Sequence, residues 1–288
     1  MKVLVLGGDG QVARAVAACV TAPHRAIVKA RQDLDIADPA AVATAIAASG
    51  ADWVVNGAAY TAVDRAESDA VTARQINETA VGTIARATER VGCRLLHLST
   101  DFVFDGASSR AYRPGDAPHP LSVYGATKLG GEREALEHGS TAIVLRTAWV
   151  YASSGRNFAL TMLRLLREKS EVSVVADQIG TPTWATGIAR AIWGLMTAAA
   201  PGGIYHWTDL GVATWYDFAV AIQEEALARG LLTRAVPVIP IATAAYPTPA
   251  RRPAFSMLDT ASTRAMLSHP AQHWRHNLRN MLDELRAA

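Results

Sequence analysis

Cysteine is nearly missing from this 288-residue chain. Cys19 and Cys93 are the two present, too few for a disulfide framework and without metal-ligand spacing. Both read as small buried hydrophobes of a reducing cytosol. A long hydrophobic run is missing too, so no bilayer span is expected. The opening Met1-Lys2-Val3-Leu4-Val5-Leu6 stops at Gly7-Gly8-Asp9, too short for the apolar stretch of a signal peptide. Excess charge of either sign is lacking: 28 Lys and Arg face 26 Asp and Glu, for a net charge of +2. Without a basic stripe, a nucleic-acid partner is not expected. Repeats and low-complexity tracts are also missing. What remains is a chain that is 50% hydrophobic, enough for a sizeable core, and a cytoplasmic enzyme is the expectation.

Short apolar runs alternate with longer helical patterns. Strands are expected at Val3–Leu6, Ala26–Val28, Trp53–Asn56, Arg94–Leu98 and Ala142–Leu145. Helices are expected at Gln11–Val20, after Asp38-Pro39, over Ser68–Arg90 with Ser68 as cap, and around Tyr124–Glu137. This alternation predicts βαβ units, and apolar runs without a polar face predict a parallel sheet buried on both sides. Beyond Thr147 the pattern loosens. Helices are expected at Asn157–Arg167, Ala185–Met196, Thr260–Leu267 and His273–Leu285, with a short strand at Val172–Val175 and an irregular surface segment over Pro237–Arg252.

Gly7-Gly8-Asp9-Gly10-Gln11-Val12-Ala13 lies between the first strand and the first helix. Glycines there let the backbone turn tightly and approach a pyrophosphate, which the free N–H groups of a helix N-terminus then bind. The residues Gly7, Gly10, Gln11 and Val12 are the candidate phosphate contacts. The second strand ends in Val28-Lys29-Ala30-Arg31, without the acid that holds a ribose 2′-hydroxyl in NAD-preferring sites. Lys29 and Arg31 can accept a 2′-phosphate, or they are solvated loop charges. Asp35-Ile36 is a candidate adenine contact.

Tyr124-Gly125-Ala126-Thr127-Lys128 places a phenol and an ammonium on one helix face. A cation near the phenol favours the phenolate, and such a tyrosine can exchange a proton with a carbonyl oxygen. Ser99-Thr100-Asp101 falls at the carboxyl end of the fourth strand, where doubly wound sheets bind ligands. Alone, Tyr-x-x-x-Lys also describes a surface helix pair. With the glycine turn and Ser99-Thr100 it points to reduction by a nicotinamide cofactor.

These residues resemble the extended short-chain dehydrogenase/reductases, and the dTDP-4-dehydrorhamnose reductase family in particular. The likeness is carried by Asn56-Gly57-Ala58-Ala59-Tyr60-Thr61-Ala62-Val63-Asp64-Arg65-Ala66-Glu67, Ser99-Thr100-Asp101-Phe102-Val103-Phe104-Asp105-Gly106 and Val123-Tyr124-Gly125-Ala126-Thr127-Lys128-Leu129. Arg146-Thr147-Ala148-Trp149-Val150-Tyr151, Asn157-Phe158 and Asp177-Gln178-Ile179-Gly180-Thr181-Pro182-Thr183 continue it. The resemblance implies a Rossmann-type doubly wound α/β sheet with a smaller C-terminal substrate-binding domain. Residues 1–150 would bind NADPH or NADH, and 151–288 mainly the substrate, with part of about 171–205 returning to the sheet. It implies reduction of the C4 ketone of dTDP-6-deoxy-L-lyxo-4-hexulose to dTDP-L-rhamnose. Tyr124 would be the proton donor, Lys128 its tuner and a ribose ligand, and Thr100 the carbonyl partner. Asn56, Ala58, Ala59 and Tyr60 would lie toward the nicotinamide. Asp101, Val103, Trp149, Asn157 and Arg252 would face the dTDP-sugar.

The chain departs from the family pattern at two places. Phe255 stands where Arg252-Pro253-Ala254-Phe255-Ser256 usually has asparagine. Arg14-Ala15 stands where some members carry a metal-binding glutamate, so no metal is expected. A reductase of another nucleotide-linked 4-keto-6-deoxysugar and a non-catalytic NADP-binding subunit remain as alternatives. The dehydratase alternative is disfavoured because Phe102, not glutamate, follows Thr100-Asp101. A monomer or homodimer, with neither membrane nor nucleic acid as partner, is expected.

Overall fold

The computed structural model describes residues 1–267 and 270–287. Six parallel strands make the central sheet: β1 (Lys2–Leu6), β2 (Arg25–Lys29), β3 (Trp53–Asn56), β4 (Arg94–Thr100), β5 (Ile143–Thr147) and β6 (Gly203–His206). Their spatial order is β2-β1-β3-β4-β5-β6. The direction of winding reverses between β1 and β3, which opens a crevice at their carboxyl ends.

Alternate residues of each strand enter two different cores. Val3, Val5, Val55, Leu96, Ile143 and Leu145 pack against α1 (Gln11–Ala18) and a later helix, Ala185–Thr197. Leu4, Leu6, Val54, Leu95 and Val144 pack on the other face, against α2 (Pro39–Ser49), α3 (Ala80–Val91) and α4 (Val123–His138). Burial on both faces is why these strands are unbroken apolar runs. Asp38 starts α2 by accepting from the N–H groups of Ala40 and Ala41, with Pro39 in the first turn.

After β5 the chain builds a second core from α5 (Phe158–Glu168), α7 (Trp215–Ala228) and α8 (Trp274–Ala287), whereas the intervening α6 (Ala185–Thr197) returns to the sheet and packs on α1. Tyr151, Phe218, Trp274 and Leu278 lie at the centre of this second core. Val172–Val175 pairs in parallel with Val238–Ile241, in a small sheet of its own. It is β6 that joins the central sheet, beside β5.

Several expectations need correction. The continuous helix over Ser68–Arg90 is three pieces: Ala70–Arg74, a π turn at Gln75–Thr79, and α3. Ser68 does not cap it, because its hydroxyl donates to the Arg65 carbonyl. The irregular segment Pro237–Arg252 contains the strand Val238–Ile241, with Pro240 tolerated because that strand lies at an edge. Helix α1 ends at Ala18 rather than Val20. Helix α7 was not anticipated, although Thr214 and Asp217 form a complete capping box at its start.

One buried ion pair ties the layers together. Glu132 on α4 and Arg146 on β5 are each 1% exposed, and the Nε–Nη2 edge of the guanidinium donates to both carboxylate oxygens, at 2.8 and 2.6 Å. Ser99 on β4 donates to the same carboxylate. Arg146 also faces His206 Nε2 on β6 at 3.4 Å and lies over the Phe104 ring. Replacing one member strands the other charge in the core, so Glu132→Ala is expected to lower unfolding free energy by about 3–5 kcal/mol. Replacing both, as Glu132→Met with Arg146→Met, is expected to recover most of that loss. Denaturant melts of the single and double variants check this.

Candidate active site

The turn after β1 is shaped by what it must approach. Gly7 has φ of 81°, and a Cβ there would lie 2.6 Å from the Ala58 nitrogen, so only glycine lets this turn close against the loop after β3. Gly10 caps α1 without a side-chain acceptor, and no acid occupies its first turn. The N–H groups at Gln11 and Val12 therefore stand at a positive helix end with no side-chain cap, beside a cradle from which side chains are excluded. This fits a dinucleotide pyrophosphate. Next to it, Arg31 is exposed, and its backbone N–H donates to Asp9. Asp35 is exposed and turns back onto the Ala37 N–H, whereas Ile36 is buried in the core.

Helix α4 is held against the end of β4 by close backbone approach. A Cβ on Gly125 would fall 2.2 Å from the Phe102 carbonyl, which explains glycine directly after Tyr124. Ser122 caps the helix through the Gly125 N–H. As a result Tyr124 is brought toward the Thr100 side chain at the end of β4, and its ring meets Phe102 edge-on at 5.5 Å. Thr100 donates to Asp101 at 3.0 Å and accepts from the Phe102 N–H. Burial pushes the phenol up to about 12, and the negative Asp101 adds to the shift. The lowering expected from Lys128 is not found. Lys128 is 2% exposed, and its Nζ is engaged by the Leu98 carbonyl at 2.6 Å and by His97 at 3.3 Å. A phenol that keeps its proton is the form that donates to a carbonyl.

The other anticipated residues are placed as follows. Asn56 is fully buried, accepts from the Ala58 N–H and meets His97. Ala58, Ala59 and Tyr60 line the loop after β3, but the Tyr60 hydroxyl turns away to Asp69. Val103 has no exposed surface; it packs with Phe104, Tyr112 and Leu258 and offers no side chain to a ligand, which corrects its reading as a sugar contact. Trp149 sits at φ 48°, a backbone strain of order 1–3 kcal/mol, and stacks on Trp215 with ring centroids 3.5 Å apart. Asn157 caps α5 and donates to Gln11 at 2.8 Å, joining the second core to the phosphate turn. Arg252 is spent on Asp64 through both terminal nitrogens, at 3.1 and 2.8 Å, so a diphosphate would have to compete for it. Trp215, Phe158, Met162, Gln178 and Arg252 line a cavity of about 370 Å³.

Sequence reasoning missed Asn77. Its amide spans the backbone of Tyr60 in both directions and donates to Thr127 on α4. It thereby fixes the β3 loop against the helix of Tyr124. The π turn that presents it is a recurrent feature of functional sites. His97, fully buried on β4, is satisfied by Asn56 and Lys128.

Comparison with known proteins agrees with this geometry. The RmlD substrate binding domain family matches residues 1–287. A dTDP-4-dehydrorhamnose reductase of Burkholderia thailandensis is 42% identical, over 96% of both chains. The crystal structure of a dTDP-4-dehydrorhamnose reductase from Clostridium acetobutylicum superposes with a TM-score of 0.92 at 33% identity, covering 99% of this chain and 100% of that one. One from Bacillus anthracis, in complex with NADP, gives 0.92 at 30% identity, over 98% and 99% of the two chains.

Asp101 gives the site a measurable pH signature. It is 2% exposed, and burial raises its carboxyl to about 6. A carboxyl raised on folding stabilises the protein below its unfolded value of about 4, and that contribution is lost as pH rises through about 6. Asp101→Asn is expected to flatten the stability profile across this window. Melting temperature against pH for both proteins is the measurement.

Proposed function

The chain belongs to the dTDP-4-dehydrorhamnose reductase family, and we infer that it reduces the C4 ketone of dTDP-6-deoxy-L-lyxo-4-hexulose to dTDP-L-rhamnose with NADPH or NADH. The observation that carries the reading is Tyr124 and Lys128 of α4 set against Thr100 at the carboxyl end of β4, the same end of the sheet as the uncapped glycine turn. In this reading Gly7, Gly10, Gln11 and Val12 hold the pyrophosphate. Arg31 and Asp35 face the adenosine, with Ile36 supporting that turn from the core, and Ala58, Ala59, Tyr60 and Lys128 face the nicotinamide riboside. When bound, the reduced nicotinamide supplies a hydride to the ketone carbon.

Tyr124 donates its proton to the carbonyl oxygen as charge builds there. The Thr100 hydroxyl, held by Asp101 and the Phe102 N–H, turns its one hydrogen from Asp101 to the same oxygen. Lys128, anchored on Leu98, orients the ribose. Trp149, Asn157 and Arg252 hold the sugar nucleotide, with Trp149 against the sugar and Arg252 exchanging Asp64 for the diphosphate. We assign dinucleotide binding to residues 1–150 and substrate binding mainly to 151–288. The same reading gives a cytoplasmic enzyme, monomer or homodimer, with neither nucleic acid nor membrane as partner. Among the described residues no helix is long and apolar enough to cross a membrane.

Tyr124→Phe is expected to cut turnover by about two or more orders of magnitude, as for a lost general acid, while leaving dinucleotide affinity in place. Turnover on the ketosugar and fluorescence titration with NADPH check both halves. A variant reducing the ketosugar at near the native rate would falsify the assignment. NADPH is expected to serve at least as well as NADH, because Arg31 stands where an acid would favour NADH. Steady-state kinetics of Arg31→Ala with each cofactor test this: KM for NADPH should rise several-fold, and KM for NADH should not.

A further inference from the structure

Asn56 and His97 are register partners on β3 and β4, and neither has exposed surface. The direction of hydrogen bonding through them is set from the backbone. The Ala58 N–H donates to Asn56 Oδ1 at 3.1 Å. The amide's NH₂ end therefore faces His97, with Nδ2 3.1 Å from Nδ1. Nδ1 accepts, so it carries no proton. A neutral imidazole then has its one N–H on Nε2, and Nε2 lies 3.3 Å from Lys128 Nζ. An ammonium at that place would set donor against donor, whereas an amine lone pair completes the chain. The amine in turn donates to the Leu98 carbonyl at 2.6 Å.

We propose that Asn56 and His97 are positioning residues that hold Lys128 as a neutral amine in the ligand-free protein in mildly alkaline solution, so that dinucleotide binding there takes up one proton at Nζ. The proton comes from solvent, and a ribose oxygen supplies the acceptor that His97 does not. This rests on the cofactor reading above. The surroundings agree with it. Burial lowers Lys128 to about 8, and burial with the nearby Lys128 keeps His97 neutral. On its own helix Lys128 has Tyr124 and Glu132 one turn away on either side; Glu132 favours the charged amine but is engaged by Arg146 of β5 and by Ser99. From β4 come His97 and, at the strand's end, Asp101; β3 offers only the uncharged Asn56.

Asn56→Asp supplies the decisive variant. A carboxylate accepts from the Ala58 N–H and also from His97, so it moves the imidazole proton to Nδ1 and lets Nε2 accept from an ammonium. In the ligand-free protein labelled with ¹⁵N-histidine and held at about pH 8–9, His97 is expected as the Nε2–H tautomer, assigned by its loss in His97→Gln, and as the Nδ1–H tautomer in Asn56→Asp. An Nδ1–H tautomer or an imidazolium in the native protein overturns the proposal. Calorimetric titration with NADPH at about pH 8–9, in buffers of different ionisation enthalpy, is expected to show uptake approaching one proton per site, and several-fold less in Asn56→Asp. NADPH binding without uptake in the native protein overturns the proposal as well. Failure of NADPH to bind refutes the cofactor reading instead, and the histidine tautomer, read without ligand, still decides this inference.

Discussion

The Glu132–Arg146 pair is the interaction on which the rest of the site depends. Two charges buried to this degree are costly unless each satisfies the other with good geometry. Here the geometry is two-pronged, and Ser99 takes a further carboxylate lone pair. The consequence is positional. Helix α4 cannot slide or rotate against β4 and β5 without breaking the pair, and α4 carries both Tyr124 and Lys128. The chemistry at one end of the helix is thus fixed by electrostatics two turns further on.

Around that anchor, burial shifts the reacting end of the sheet toward its uncharged forms. Burial keeps Tyr124 protonated, lowers Lys128 and holds His97 neutral. Asp101 is the exception, an acid raised to about 6 and still bonded to Thr100. A pocket of mostly neutral hydrogen-bonding groups is suited to moving a proton without building net charge in a poorly solvated space. The ordering of donors and acceptors then matters more than the count of charges.

Much of the fold was legible in the sequence because the strands are buried on both faces. Trp53–Asn56 and Val172–Val175 could be bounded to the residue, since apolar runs end where the chain leaves the core. The glycine turn and Tyr124 to Lys128 were legible because close approach and helix periodicity leave a spacing. The break in the helix over Ser68–Arg90 was not, because a π turn adds one residue without changing composition. The partnership of Glu132 with Arg146 was hidden for another reason. It joins a helix to a strand through space, and neither residue's neighbours in sequence announce it. Val103 shows the opposite error, a motif position whose side chain serves packing rather than the ligand.

The stacked indoles of Trp149 and Trp215 carry one more consequence. Two identical chromophores held face to face at 3.5 Å, within 4° of parallel, do not absorb independently. Their transitions couple, and any in-plane turn of one indole axis against the other splits them into exciton bands of opposite rotational sign, a chiral optical signature that neither ring has alone. Whatever parts the two rings must erase it, and the protein thereby reports the state of its own cleft in circularly polarised light.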